Sequence, residues 1–425
     1  MTDTIFALSS GSPPAAIAVM RVSGPQAAAA ICSLAGSLPK PRRASYRALT
    51  CLQTGEALDR ALGLWFPGPN TSTGEDLAEF HLHGGRAVVA GVASALGRLD
   101  GLRPAAAGEF TRRAFENGRI DLAEAEGLAD LLAAETASQR TAALHLAGGA
   151  LSRRIDYWQA ELLRLSARVE AELDFSDEGD VAPAEIDHIV TGVRRLAGEM
   201  RTLLEVPSGE RLKDGISVVL AGPVNAGKSS LINALAGRDL AITSDIPGTT
   251  RDLVEAPVSL NGMPFRLIDT AGLRESADEI EAIGVERARR AAAQADIILW
   301  LGDAADRPSD DRCIVVASKC DLGESREADL AVSSLTGQGL PELVHLLVQR
   351  GSTLLPHEGE IAMNARHRQH VSASCSHLEA AGLSSDMLII AEELRLARRE
   401  LDSVTGRAGV EQMLDALFGS FCIGK

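Results

Sequence analysis

Residues Ile216 to Gly272 constrain this chain more than any other stretch, because three phosphate-handling elements follow one another there in fixed order. A β-branched, apolar run (Ile216, Val218, Val219, Leu220) leads into GPVNAGKSS, which fits G-x-x-x-x-G-K-S from Gly222 to Ser229. A helical pattern at Leu231, Ile232 and Leu235 comes next. Strand, glycine loop and helix are the setting in which such a motif cradles phosphate. Gly222 and Gly227 let the backbone curl so that successive N–H groups face an anion at a helix N-terminus. The loop Asn225, Ala226, Gly227, Lys228, Ser229 and Ser230 is therefore expected to hold a nucleotide, with Lys228 at the β/γ oxygens and the Ser229 hydroxyl on Mg²⁺.

Two more elements lie downstream. DIPGTTRD, Asp245 to Asp252, follows Ser244 and brings Ile246, Pro247 and Gly248 to the nucleotide, with Thr249 or Thr250 able to sense a γ-phosphate and complete the Mg²⁺ shell. FRLIDTAG reads as a strand from Phe265 to Ile268 that delivers Asp269, Thr270, Ala271 and Gly272. Asp269 is suited to hold Mg²⁺ through water and Gly272 to offer its N–H to the γ-phosphate, so hydrolysis would release both loops. Asp-Thr-Ala-Gly after a strand is a GTPase signature. The guanine reader is expected at Ser318-Lys319-Cys320-Asp321, where Asp321 can accept from the guanine N1 and N2 groups. Asn is usual in the first position of that motif. Ser318, shorter and with fewer hydrogen-bonding groups, is expected to loosen the tie between base loop and phosphate loop.

Leu273 stands where Ras-type GTPases carry a water-orienting Gln, and Asn225 offers an amide oxygen suited to a cation. With these motifs the sequence resembles the MnmE (TrmE) family of tRNA modification GTPases. The resemblance implies K⁺ in place of an arginine finger, held by Asn225, Ser244, Ile246 and Thr249, with Mg²⁺ on Ser229 and Thr250. It also implies a catalytic Glu after the third motif, and Glu281 in ESADEIEAIGVERA occupies that place.

At 425 residues the chain has room for two or three domains. A net charge of −16 argues against a broad nucleic-acid-binding face, so any RNA contact must be local, and the arginine pairs such as Arg42-Arg43 and Arg112-Arg113 read as solvated surface. Six cysteines show no C-x-x-C and no zinc-like spacing, which fits free thiols. No basic leader and no run of 18 apolar residues occurs, so a soluble, cytoplasmic protein without membrane contact is expected.

Residues 1–119 read as α+β, with apolar runs at Ile17–Val22 and Leu62–Phe66 and a helical pattern over Ala87–Leu99. Glu79, His81 and His83 alternate and share one strand face; without a third ligand the histidines read as surface or packing groups. IAVMRVSG, WFPGPNTSTGEDLAEFHLHGG and GEFTRRAFENGRIDLAEAEGLADLL resemble the family's N-terminal domain, which implies homodimerisation and binding of a one-carbon tetrahydrofolate by Arg21, Glu79 and Arg119. The terminal Phe421-Cys422-Ile423-Gly424-Lys425 resembles the family's tail, which places Lys425 at the folate and Cys422 beside it as a nucleophile or a packing group.

Beyond residue 119 the pattern turns helical. Leu151, Ile155, Trp158, Leu162, Leu165, Val169 and Leu173 form one apolar stripe, Ile186–Leu204 a second, Met387 to Val404 a third, and Val410–Phe421 a last helix. Similar helices before and after residues 216–352 suggest one helical domain (120–215 and 353–425) with a Ras-like P-loop GTPase domain inserted, beside the N-terminal α+β domain. Between the strands Ile297–Leu301 and Ile314–Val316, only Gly302–Cys313 is left for a parallel crossover, so its usual helix is expected to be missing or reduced.

The resemblance covers nearly the whole chain. It implies a GTPase that works with a separate FAD-dependent protein, MnmG (GidA), in a heterotetramer to modify C5 of the wobble uridine of certain tRNAs. No dinucleotide fingerprint occurs in this chain, in keeping with FAD being held elsewhere. A regulatory GTPase of ribosome assembly is the alternative; it would need a basic RNA-binding appendage, and these flanks are acidic.

Overall fold

The computed structural model describes residues 3–174, 183–223, 225–238, 255–269, 292–323, 327–407, 411–419 and 421–424. The chain divides into two compact units, Met1–Ala129 with Thr405–Lys425, and Asp130–Val404.

In the first unit the chain runs β1 (Thr4–Leu8), β2 (Ile17–Ser23), α1 (Ala27–Ala35), β3 (Ser45–Thr50), β4 (Ala57–Phe66), β5 (Leu77–His83), α2 (Arg86–Gly97), β6 (Leu102–Pro104), α3 (Glu109–Glu116) and α4 (Leu122–Ala133). The sheet order is β3-β4-β5-β2-β1-β6, with only β1 and β6 parallel. Alternation fixes its faces. Ala18, Met20 and Val22 on β2 and Ala78, Phe80 and Leu82 on β5 join one core with Ile31 and Leu34 of α1 and Val92 and Leu96 of α2. The period of two then sets Arg21 and Glu79 on the opposite face. At β1 that face is closed by α3, whose Phe110 packs with Ile5 and Ala7. Fully buried Arg113 fastens α3: it donates to the Asp3 carbonyl at 3.0 Å and pairs with Asp3, Glu75 and Glu109.

The last helix, Glu411–Gly419, expected with the helical domain, clusters with the first compact unit. Leu414, Phe418 and Phe421 pack with Leu122, Ala125 and Phe115, so residues 405–425 complete the first unit. An amphipathic helix is placed by whichever apolar face matches its own, which sequence order does not dictate.

The second unit begins with α5 (Ala137–Ala147), α6 (Ala150–Asp174), α7 (Pro183–Glu205) and α8 (Glu210–Asp214). It continues through β7 (Ile216–Ala221), α9 (Lys228–Arg238), β8 (Glu255–Leu260), β9 (Met263–Asp269), β10 (Ile297–Trp300), β11 (Cys313–Ser318), β12 (Leu330–Val332) and α10 (Leu340–Ser352). It closes with α11 (Ala365–Leu383) and α12 (Met387–Thr405). The α6 stripe is buried at Leu151, Ile155, Trp158, Leu162, Leu165 and Val169, and the α12 stripe at Ile390, Leu394, Ala397, Leu401 and Val404. Helices from either side of the inserted sheet pack together: the Cys375 thiol of α11 lies 3.5 Å from the Ala197 carbonyl of α7.

The second sheet has the order β12-β11-β10-β7-β9-β8, parallel except for the β8–β9 hairpin, which is the Ras-like arrangement expected. β10 and β11 pair in parallel, and between them only a 3-10 turn, Ala304–Asp306, is formed. The crossover helix is thus absent. A cavity of about 540 Å³ lies there, lined by Arg307, Pro308, Asp310, Cys313, Leu346 and Arg350 among others.

Asp296, just before β10, joins three elements. It accepts from the Ser217 amide at 3.0 Å, the Ser217 hydroxyl at 2.8 Å and Arg211 Nε of α8 at 2.7 Å. Burial pushes its carboxyl up, but the Ser217 and Arg211 donors outweigh burial and hold it below the usual carboxylate range. A depressed folded value means that the stabilisation is present above about pH 4 and is lost as pH falls through the lower folded value. Asp296→Ala is expected to cost on the order of 3 kcal/mol, since it strands a buried amide and an arginine. Urea denaturation at neutral pH and at about pH 3 checks this: the gap between wild type and variant should shrink in acid.

Candidate functional site

At the centre of the second sheet, β7 ends in Ala221 and the chain turns through the glycine loop into α9. Gly222 has φ +144° and a side chain there would meet the Leu301 backbone at 3.0 Å, so the loop passes under β10 only because residue 222 lacks one. Asn225 and Gly227 also have positive φ, 61° and 90°. Lys228 is buried, and its ammonium donates to the Gly222 carbonyl at 2.9 Å and to the Pro223 carbonyl at 2.8 Å, which holds the loop curled. Ser230 is exposed and Ala226 half-buried on the same loop.

The register of β7 with β9 sets Leu220 beside Asp269, and the Ser229 hydroxyl donates to Asp269 Oδ2 at 2.5 Å. Two residues 40 positions apart thus converge at the strand ends. A hydroxyl and a carboxylate are the hard oxygen donors that suit Mg²⁺.

Ser318, at the end of β11, overturns its expectation. Its hydroxyl donates to the Ala226 carbonyl at 2.6 Å, so the tie between base loop and phosphate loop is made. Ser318 Oγ would lie only 3.8 Å from a Cβ on Gly227, and at that separation a serine reaches. Lys319, at φ +60°, adds a second tie from its ammonium to the Asn225 carbonyl at 2.9 Å. Asp321 is exposed in the 3-10 turn Cys320–Leu322. Ser318→Ala is therefore expected to weaken GDP binding about two- to tenfold, the worth of one hydrogen bond, while Ser318→Asn brings no gain. Titration with a fluorescent GDP distinguishes the two.

Ser244, Asp245, Ile246, Pro247, Gly248, Thr249, Thr250, Thr270, Ala271, Gly272, Glu281 and Lys425 lie outside the described residues.

In the first unit Arg21 stands directly across from Glu79, with Arg21 Nε 3.0 Å from Glu79 Oε1. The guanidinium also lies 5.7 Å from the centre of the Phe110 ring. His81 Nε2 is 3.3 Å from the other Glu79 oxygen, so this histidine, read as packing or surface, belongs to the cluster. Its two-residue spacing from Glu79 on a strand was the available signal. Arg119 is exposed on the turn after α3, and Gly74 packs against that turn: a Cβ there would come within 2.8 Å of Asn117 and 3.2 Å of Arg119. The tail closes nearby along the chain path. Ile423 bridges to Ala107, three residues before Phe110, and the Gly424 carbonyl accepts from the Ser9 hydroxyl at 2.7 Å. Cys422 is exposed. Among the described residues no cluster of three metal-binding side chains occurs.

The profile of the GTP-binding protein TrmE N-terminus matches residues 4–119, and that of the MnmE helical domain matches residues 122–422. The tRNA modification GTPase MnmE of Rhizorhabdus wittichii is 58% identical, over 100% of this chain and 97% of its own length. The protein of that name from Novosphingobium aromaticivorans is 53% identical over the full length of both chains. The chain belongs to the MnmE family of tRNA modification GTPases. As an MnmE-family protein it is a GTP hydrolase. No helix among its described residues is long and apolar enough to cross a membrane.

Proposed function

We propose that the protein is a potassium-activated GTPase that modifies C5 of the wobble uridine of certain tRNAs. In this reading tetrahydrofolate supplies the one-carbon unit and a separate FAD-dependent protein of the MnmG (GidA) kind completes a heterotetramer, in the cytoplasm, around a homodimer of this chain. The observation that carries it is the convergence of Lys228, Ser229 and Asp269 on one glycine loop, in a chain similar along its whole length to tRNA modification GTPases. Residues 1–119 would dimerise and hold folate, 216–352 would form the GTPase domain, and 120–215 with 353–425 the helical domain.

Lys228 exchanges its loop carbonyls for β/γ oxygens, and the neighbouring N–H groups face the phosphates. Ser229 and Thr250 would hold Mg²⁺, with Asp269 acting through water, and Asn225, Ser244, Ile246 and Thr249 would hold K⁺. Both ions supply charge neutralisation at the phosphates. Asp321 and Lys319 read guanine. Arg21 and Arg119 suit the carboxylate or ring oxygens of a folate and Glu79 its N–H donors, with Lys425 completing the pocket.

Glu281 is assigned the attacking water. Glu281→Ala is expected to leave GTP binding nearly unchanged and to slow turnover by roughly 10² to 10⁴; turnover within about twofold of wild type removes the assignment. The function as a whole is tested by nucleoside analysis of tRNA from cells lacking the protein. Loss of the modified wobble uridine is expected, and an unchanged nucleoside profile overturns the reading.

A further inference from the structure

From Thr4 to Gly55 the chain carries no Asp or Glu, yet it holds Arg21, Lys40, Arg42, Arg43 and Arg47, in a protein whose net charge is −16. Arg21 is matched by Glu79. The other four lie on the turn before β3 and on β3, the edge strand of the first sheet. Arg60 joins them from β4, directly opposite Ala48. Lys40, Arg42, Arg43 and Arg60 are exposed, Arg47 is half-buried, and among the described residues none of the five is in an ion pair. Arg103, Arg112 and Arg113 of the same unit each face a carboxylate. Asp59, next to Arg60, is already held by the His83 ring at 2.8 Å and the His83 amide at 2.9 Å.

The turn that presents these cations is a built one. The Arg42 amide donates to the Trp65 carbonyl at 2.8 Å, and its guanidinium lies 5.8 Å from the centre of the Phe66 ring and donates to the Asn70 carbonyl. Tyr46 is 64% exposed and stands opposite Leu62, on the face that carries Arg60 and Phe66. Along β4, Arg60 and Phe66 are about 20 Å apart, a span that covers several backbone phosphates.

Guarding an edge strand takes one or two charges of either sign. Four unneutralised cations, Lys40, Arg42, Arg43 and Arg60, beside an exposed aromatic ring instead make a local positive potential with a stacking platform, while Arg47 lies on the other face of β3. We propose that the β3 edge and the adjoining open face bind the phosphate backbone of tRNA, with Tyr46 stacking on an unpaired base. This surface rests on the tRNA reading given above and adds to it the place of contact. It also meets the demand that RNA contact be local in an acidic chain.

The test uses the full-length protein and an unmodified tRNA transcript, with binding followed by fluorescence polarisation between about 50 and 200 mM KCl. The triple variant Lys40→Gln/Arg43→Gln/Arg60→Gln is expected to lower the slope of log K against log salt by about two to three, and to weaken binding at least about tenfold at roughly 100 mM. GTP hydrolysis without tRNA should stay within about twofold, and the circular-dichroism spectrum and thermal unfolding should match wild type, which together verify the fold of both units. Tyr46→Ala is expected to weaken binding about five- to a hundredfold with the slope unchanged. Unaltered affinity and slope in the triple variant overturn the proposal, as does a wild type without salt-dependent binding. A change in sedimentation mass at unchanged tRNA affinity also overturns it and assigns the surface to a second copy of the chain. Loss of the cellular modification is a separate readout, so the two readings fail independently.

Discussion

GTP hydrolysis by this protein is expected to fall by roughly 10³-fold or more when potassium is exchanged for sodium at equal ionic strength. Leu273 cannot orient water, and an aliphatic side chain cannot neutralise the charge that spreads over the transferring phosphoryl group. The potassium ion proposed above would take that role, and the phosphate loop offers Asn225 for it. The loop holds that residue in a defined place: its φ is +61°, its carbonyl is engaged by the Lys319 ammonium at 2.9 Å, and the next carbonyl, of Ala226, by the Ser318 hydroxyl at 2.6 Å. With the backbone carbonyl so occupied, the Asn225 amide is the group left to meet an ion at this position. A 10³-fold effect corresponds to about 4 kcal/mol of barrier, within what an arginine finger supplies. Asn225→Gly keeps the positive φ at no cost and removes only the amide. It should abolish the difference between KCl and NaCl while GDP binding persists. Equal wild-type rates in the two salts sink the potassium reading.

The nucleotide-binding half was the more legible because its motifs serve a ligand whose geometry is fixed. Phosphate needs a strand, a tight glycine turn and a helix in immediate succession, and that succession is written locally. The missing crossover helix was legible for a similar reason, since too few residues lie between β10 and β11 to build one. Ser318 was misjudged because reach was inferred from side-chain length, whereas the separation of two backbones decided it. Helix α11 carried no clear apolar stripe: its buried face is His367, Val371, Ser374, Cys375, Leu378, Ala381 and Gly382. Small residues there let α7 approach closely, as a Cβ on Gly382 would lie 3.3 Å from Arg194, and close approach leaves little hydrophobic pattern to read. The Arg21–Glu79 pair needs the register of β2 with β5, which no spacing along the chain reveals.

Removing residues 422–425 is expected to leave potassium-stimulated GTP hydrolysis intact and to eliminate tRNA modification. A frayed tail would make the deletion silent, but this one is fastened at Ile423 and Gly424, behind the buried Phe421. Phe421 is buried with its ring 6.1 Å from that of Phe418, Ile423 bridges to Ala107, and the Gly424 carbonyl accepts from Ser9. Gly424 has φ +95° and a Cβ there would sit 2.0 Å from the Leu8 carbonyl oxygen, so no other residue fits without moving β1. β1 pairs with β2 at Ala7 and Arg21, and the Ala107 bridge leads into the helix whose Phe110 lies under the Arg21 guanidinium. The tail thus braces the strand and the helix that position Arg21, while the glycine loop for GTP belongs to the other compact unit. Two finer variants separate the causes. Gly424→Val keeps Cys422 and Lys425 yet should displace the tail and mimic the deletion, whereas Cys422→Ser should retain modification if the thiol only packs and lose it if the thiol reacts. Normal tRNA modification by the truncated protein would show that the tail has no part in the chemistry.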